Sequence, residues 1–394
     1  MKRAQFTLVA LPGGVAFFVC CLVTRGGLLD HHRYGDAALY GHYAHEMTSG
    51  HWPYRDFFDE YPVLAQPLFF VVRLLPGPFV TSFKWTMALC GAAALVLMVA
   101  AIRGPLWRAA VAAGAVAISP LVVGPVFLNT YDLFPALLTI AAVLAFLHER
   151  ERTTYVLLAL AVAAKVFPLV LLPLVLIESW ERGGRDAVRR ALAWFGGILV
   201  LVHLPFAVMG PGGLRFSYWV QLKRGLEVES LGGGILLVLH RLGLHAVTLR
   251  DEAPGSRDAV GTLADALAVL SSLAVVAAVL YVAWAYLRGG RDRVLACAAA
   301  VTAFVAFNKV LSPQYVVWLV PLVPAAGPVA AGVLVVVLAL TRAEWNRFVS
   351  PHGSAPQWGD VLSWWILARD LALVALFALL VLKLREAARS RIHR

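Results

Sequence analysis

The sequence predicts an all-α, polytopic integral membrane protein of about 10–12 transmembrane segments, each needing about 20 apolar residues. Three observations lead there. Hydrophobic residues make up 60% of the 394-residue chain and charged residues only 14%. Mean hydropathy is +0.77, whereas a water-soluble domain carries about a quarter charged residues. The apolar residues also fall into long runs with arginines in the short loops between them, the pattern of membrane spans held by basic cytoplasmic loops. A soluble enzyme, a disordered chain and a disulfide scaffold are thereby excluded.

The spans are expected near 6–24, 79–102, 108–127, 131–147, 154–177, 192–209, 261–287, 293–309, 314–326, 328–342 and 361–383. The first follows Met1-Lys2-Arg3 and lacks a small-residue cleavage site, so it reads as an uncleaved helix. Cys20, Cys21, Cys90 and Cys297 lie inside apolar runs and read as small core residues. The net charge of +11 reflects topology rather than nucleic-acid binding. No repeat or linker divides the chain, so residues 1–394 form one domain. It has a first polar loop at 25–78, a second at 210–260 and a basic tail at 384–394.

Basic loops at Arg103–Arg108, His148–Arg152, Glu178–Arg190 and Arg288–Arg293 belong on the cytoplasmic side with both termini. That places basic loops at both ends of 154–177, although a single span must change sides. Lys165, Pro168 and Pro173 interrupt this stretch. A broken or re-entrant helix pair turning near Lys165 restores the parity. Irregular backbone at membrane depth is tolerated where it lines a cavity. Both polar loops, 128–131, 309–314 and 343–360 then share the extracytoplasmic face with the turn at Lys165.

The first loop holds six of the 23 carboxylates and five of the 11 histidines between Asp30 and Glu60. Asp36, Tyr40, Tyr43 and Met47 share one face of a predicted short helix. Ser49-Gly50-His51-Trp52-Pro53-Tyr54 ends that helix, and 67–75 reads as an amphipathic interfacial stretch. Asp36 is the foremost candidate carboxylate, with Asp56, Asp59 and Glu60 as rivals. Any of them also suits a plain ion pair with Arg33 or Arg55. Asn129 and Asp132 stand where a span begins, as a helix cap or as substrate ligands.

Lysines number six against 28 arginines, and Lys165 and Lys309 interrupt apolar runs. An ammonium at membrane depth costs several kcal/mol and calls for an anionic partner. For Lys165 that partner is a lipid-borne phosphate, or else Asp132 in a structural pair. Gln314 and Tyr315, after Ser312-Pro313, offer hydrogen bonds on the same face. No phosphate-binding glycine loop, dinucleotide fingerprint or metal-binding signature occurs. The glycines at 232–234 read as a flexible loop end.

Four segments together resemble glycosyltransferase family 87, polyprenyl-phosphate-mannose-dependent enzymes of the GT-C fold. They are the first-loop pattern from Asp36 to Ala44 leading to Pro53-Tyr54-Arg55-Asp56-Phe57-Phe58-Asp59-Glu60-Tyr61-Pro62, then Tyr131–Thr139, Ala163–Leu174, and Asn308–Leu322. Val63 departs from the usual second proline. The resemblance implies a GT-C-like fold with a broken helix pair after the fourth span. It also implies a sugar donor on polyprenyl phosphate, used at the outer face of a bacterial cytoplasmic membrane. Asp36 is then the general base of an inverting transfer of a hexose, mannose foremost, to a lipid-linked or envelope-glycan acceptor. Substrate-binding candidates are Lys165, Asp132, Asn129, Lys309, Gln314, Arg55, Asp56, Tyr61 and Tyr40. Arg215 and Arg224 are further cations for the leaving phosphate, and no cofactor or metal is called for. The competing class, a transporter or polyprenol flippase, predicts ionisable residues along a midplane path and an inverted repeat. Neither is evident.

Overall fold

The computed structural model describes residues 3–25, 35–253, 256–289, 291–348 and 362–392. It is helical almost throughout, as expected. Among the described residues six helical stretches are long and apolar enough to cross a membrane: Gln5–Arg25, Phe79–Ala101, Leu106–Val123, Phe167–Met209, Thr262–Leu287 and Leu362–Ala388.

Helix α1 (Arg3–Arg25) is followed by the first loop, which carries α2 (Ala37–Thr48) and α3 (Ala65–Arg73). Of the residues expected to share one face of α2, Tyr40 and Tyr43 are buried, and Asp36 and Met47 are partly exposed. In α3, Gln66, Phe69 and Val72 are buried, while Phe70, Val71 and Leu74 are exposed. That is the pattern of a helix lying along an interface. Next come α4 (Phe79–Ala101), α5 (Leu106–Val123), the single turn α6 (Val126–Asn129), α7 (Leu133–Leu147) and α8 (Glu151–Ala164).

The α8 helix stops at Lys165, whose backbone is extended (φ −165°, ψ 140°). A 3₁₀ turn over Phe167–Leu171 leads into α9 (Leu172–Met209). The first part of α9 runs back along α8, and Tyr155 and Ser179 hydrogen-bond between them at 2.8 Å. This is the broken helix pair anticipated from the sequence. Helix α9 then bends at Gly183–Gly184, where the backbone leaves helical geometry. Its second half crosses back to the face of the first loop.

There α10 (Pro211–Lys223) packs under that loop. A Cβ on Gly213 would lie 1.9 Å from the Tyr54 carbonyl oxygen, so only glycine permits this approach. The second loop, expected only as a polar interruption, holds β1 (Leu226–Glu227), α11 (Leu231–Arg241), β2 (Thr248–Ala253) and β3 (Ser256–Val260). The strands form an antiparallel sheet in the order β1-β3-β2. Gly232, Gly233 and Gly234 are not a flexible loop end: they are buried in the first turns of α11, after a Ser230 cap that accepts from the Gly233 N–H at 3.2 Å.

Helix α12 (Thr262–Leu287) returns across the bundle, followed by α13 (Arg293–Phe307), α14 (Pro328–Phe348) and α15 (Leu362–Ile392). Helix α13 is nearly all buried small residues and lies at the centre. The expected span at 314–326 is instead two 3₁₀ turns, Pro313–Leu319 and Pro324–Ala326, because prolines at 313, 321 and 324 deny a helix its ladder. The 343–360 loop lies largely outside the described residues.

The basic loops gather at one end of the bundle. Arg293 reaches Glu149 at 3.0 Å and Glu178 at 2.9 Å, and Arg182 reaches Glu149 at 3.3 Å. Arg103 donates to the Leu147 carbonyl. The polar loops gather at the other end. There Leu64 N–H donates to Ala163 O at 3.1 Å, and Glu227 N–H donates to Lys309 O at 2.9 Å.

Candidate active site

At the polar end the first loop, the α6–α7 junction, the Lys165 break and the 3₁₀ turn at 313–319 come together around a group of partly exposed ionisable side chains, the candidate cleft. Asp36 sits at its edge, between Gly35 and the start of α2. Gly35 has φ +117°, and a Cβ there would come 2.4 Å from the Asn129 Cβ. The chain just before Asp36 is thus drawn tight against the α6–α7 junction. Asp36 Oδ2 accepts from Tyr40 Oη at 3.2 Å and from Tyr61 Oη at 3.1 Å. Its Oδ1 accepts nothing among the described residues, and the side chain is half-exposed. Burial raises the Asp36 pKa above the ordinary carboxylate value, while the two phenol hydrogen bonds and the charge of Lys165 act in the opposite direction.

The two tyrosines are held by packing. Tyr40 is fully buried and stacks on Phe69 at 4.4 Å. Tyr61 meets Tyr40 and Tyr131 edge-on at 5.1 and 5.4 Å. Such an aromatic frame fixes each hydroxyl, and through them one carboxylate oxygen.

Lys165 lies across the cleft. Its Nζ is 2.6 Å from Asp132 Oδ1 and faces the rings of Tyr131, Trp318 and Tyr315 at 4.8, 5.1 and 5.4 Å. An ammonium so placed gains from the ring faces as well as from the carboxylate. Trp318 Nε1 donates to the same Oδ1, and Phe167 stacks on Trp318 at 4.2 Å. Asp132 is wholly buried, and its Oδ2 has no partner among the described residues. It stands at the cap position of α7 but makes no capping bond, since its carboxylate is turned to Lys165. Asn129 ends α6 and caps no helix.

The remaining candidates divide. Arg55 and Asp56 pair with each other at 2.7 Å on the surface of the first loop. The Arg55 hydrogen bonds, then the Trp52 N–H, bring the Asp56 pKa down to about 2. Asp59 is fully buried. Lys309 Nζ donates to the carbonyls of Leu222 (3.2 Å) and Arg224, pinning the second loop to the α13 end. Gln314 accepts from Ser312 Oγ at 2.5 Å.

Two groups stand out more than their sequence suggested. Glu60, half-buried, has its pKa raised by burial and then by Asp36, with Arg224 and Lys165 lowering it. It therefore shares the cleft with both candidate partners. Arg224 enters from the second loop, held by Glu227 Oε1 at 2.9 Å and Ser256 Oγ at 2.7 Å. The cleft thus opposes two carboxylates, Asp36 and Glu60, to two cations, Lys165 and Arg224. Tyr131 and Trp318 were not singled out as site residues in the sequence, although both lie inside segments that were noted, Tyr131–Thr139 and Asn308–Leu322.

A half-open carboxylate with one oxygen fixed suits proton abstraction from a hydroxyl, and the facing cations suit an anionic leaving group. Comparison with curated proteins gives no match. A family model matches over residues 58–313, from just before Asp59 through Asp132, Lys165 and Lys309, with Asp36 ahead of it. The model is that of glycosyltransferase family 87, which favours a transferase over a transporter. Since the match spans well over half the chain, the protein belongs to that family and is a membrane glycosyltransferase.

Proposed function

We propose that the protein transfers a hexose, mannose foremost, from a polyprenyl-phosphate donor to a lipid-linked or envelope-glycan acceptor with inversion. The observation that carries this reading is the Asp36 carboxylate, one oxygen held by Tyr40 and Tyr61 and the other open to a cleft lined by Lys165 and Arg224. In this reading Asp36 Oδ1 takes the proton of the acceptor hydroxyl as that oxygen bonds to the anomeric carbon. The bond from that carbon to the phosphate oxygen breaks on the opposite side, and polyprenyl phosphate leaves. Lys165 and Arg224 neutralise the phosphate as charge builds on it.

Lys165 keeps two of its three ammonium protons after bonding Asp132, so a structural pair and a phosphate contact are compatible. Lys309 and Gln314 shape the far wall, and Glu60 orients the acceptor. With the basic loops cytoplasmic, the cleft opens on the extracytoplasmic face of the bacterial cell membrane, where lipid-linked sugars meet their acceptors. Purified protein incubated with radiolabelled polyprenyl-phosphate-mannose and a membrane lipid extract should yield a labelled lipid of the opposite anomeric configuration. Transfer from a nucleotide sugar instead, with none from the polyprenyl donor, would overturn the reading.

A further inference from the structure

The second loop is fastened to the helix bundle by two cations that spend N–H groups on its main chain. Lys309 takes the carbonyls of Leu222 and Arg224, and the Glu227 N–H donates in return to the Lys309 carbonyl at 2.9 Å. Arg369, in the early part of α15, takes the carbonyl of Glu229 with Nη2. Arg224 lies between these two fastenings. The loop and α15 also meet closely: Val228 and Leu237 share an apolar patch with Leu362 and Ile366, and a Cβ on Gly234 would come 3.0 Å from Ile366 Cγ2.

The acceptor that Arg369 takes is informative. Arg369, Glu344, Asp370 and Glu229 are all buried. The guanidinium donates from Nη1 to Glu344 Oε2 at 2.7 Å and from Nε to Asp370 Oδ1 at 2.9 Å. Glu229 has a carboxylate of its own, whose Oε1 is without a partner among the described residues, yet Arg369 bonds the Glu229 main chain. A buried ion pair adds little net stability, and three carboxylates here outnumber one guanidinium. What the rigid planar fork supplies is direction: its bonds to α14 and α15 leave Nη2 aimed at one carbonyl. A main-chain contact fixes the path of the chain, where a side-chain contact would let it swing. From Glu229 that path leads back to Arg224. The N–H and Oγ of Ser230 both donate to the Glu227 carbonyl, at 3.0 and 2.7 Å, and Glu227 Oε1 accepts from Arg224 Nη2 at 2.9 Å.

We propose that Arg369 is a positioning residue for the transfer: by holding the Glu229 carbonyl it sets the turn from Glu227 to Ser230, and through Glu227 it aims Arg224 at the cleft. This rests on the reading of Arg224 as a partner of the leaving phosphate. Arg369 is wholly buried and acts only through Arg224.

Arg369→Met alone would strand buried carboxylates, so the test removes the charges together. A neutral variant carries Arg369→Met, Glu344→Gln, Asp370→Asn and Glu229→Gln, which keeps the Glu229 main-chain oxygen and takes away its donor. A control carries only Glu344→Gln and Asp370→Asn, so that Arg369 keeps its acceptors and balances Glu229. In the full-length protein the donor KM should rise about tenfold in the neutral variant, the scale of a charge-assisted hydrogen bond, and stay within about twofold of wild type in the control. With Arg224→Gln already in place, the neutral changes should add less than about twofold, because residues acting through one chain of contacts are not additive. Hydrogen exchange over 224–233 should quicken in the neutral variant while α13 stays protected. The same factor lost with or without Arg224, a control as impaired as the neutral variant, or unchanged exchange over 224–233 overturns the proposal. Exchange that quickens throughout the bundle overturns it as well. If no transfer from the polyprenyl donor is seen at all, the exchange comparison still decides whether Arg369 holds the turn.

Discussion

Lys165 Nζ lies 2.6 Å from Asp132 Oδ1, at the point where the chain breaks α8 and turns back on itself. The lysine is 15% exposed and the aspartate wholly buried. The break therefore stations one cation at the cleft, with its charge already balanced from behind. In the proposed reading this combination joins fold and function: the residue that ends the helix is the one offered to the donor phosphate.

Removing the lysine charge should have two separable effects. Lys165→Met leaves Asp132 buried and uncompensated, a loss of about 3–5 kcal/mol, so its melting temperature should fall. The double variant Lys165→Met/Asp132→Asn should regain most of that stability. Donor use should stay about ten- to a hundredfold down in both, as expected for a lost charge-assisted contact. Recovery of donor affinity in the double variant would leave Lys165 as a structural partner of Asp132 alone.

The contact between α10 and the first loop should tolerate almost no added volume. Gly213→Ala would press a methyl group onto the Tyr54 main chain, an overpacking that costs about 1–3 kcal/mol. It should lower both stability and turnover, since Tyr54 belongs to the segment that carries Tyr61. Gly212→Ala, one residue earlier and open on that side, is the control and should behave as wild type. Equal behaviour of the two variants would show that the loop does not need this seat.

Membrane orientation is checked by thiol labelling in intact cells. The native cysteines are all buried, so introduced ones should dominate the signal. Ser49→Cys and Gly243→Cys, at the polar-loop end, should react with an impermeant reagent. Gly183→Cys and Glu386→Cys, toward the basic end, should react only after permeabilisation. Labelling of position 183 from outside would reverse the assignment of faces made from the arginines.

The helix pair at Lys165 was legible in the sequence because two basic loops flanked one apolar run, and prolines marked its break. That Asp36, Tyr40 and Tyr43 share one face of α2 was legible from their spacing, though not that the two tyrosines are buried. The sheet and α11 in the second loop were not. Strands as short as Leu226–Glu227 carry no alternation to read, and three glycines in a row hide a packed helix start. Nor do composition and spacing separate the four first-loop carboxylates. Asp56 is exposed and paired, Asp59 sealed, Glu60 and Asp36 in the cleft, and only tertiary packing decides which is which. The Lys165–Asp132 pair was foreseen as an alternative to phosphate binding, and the geometry admits both.

The sharpest test concerns Asp36 itself. Asp36→Asn keeps the side-chain shape and can still accept from Tyr40 and Tyr61, but it takes up no proton. Loss of a general base costs about a hundred- to ten-thousandfold in rate. The variant should bind the polyprenyl-phosphate donor normally and transfer almost nothing. The pH dependences should separate the two roles. Because Asp36 has a raised pKa in the folded protein, wild-type activity should fall on the acid side at a pH above the ordinary carboxylate value of about 4. The stability contribution runs the other way. A carboxyl whose folded pKa exceeds its unfolded one favours folding most below the unfolded value and loses that contribution as pH rises through the folded pKa. Asp36→Asn should therefore melt no lower than wild type at about pH 8, where the wild-type carboxylate is ionised and partly buried. An inactive, fully stable variant that still binds donor is the signature of a base. Near-normal turnover in Asp36→Asn would move the role to Glu60, the other carboxylate of the cleft, and Glu60→Gln would then be the inactive variant.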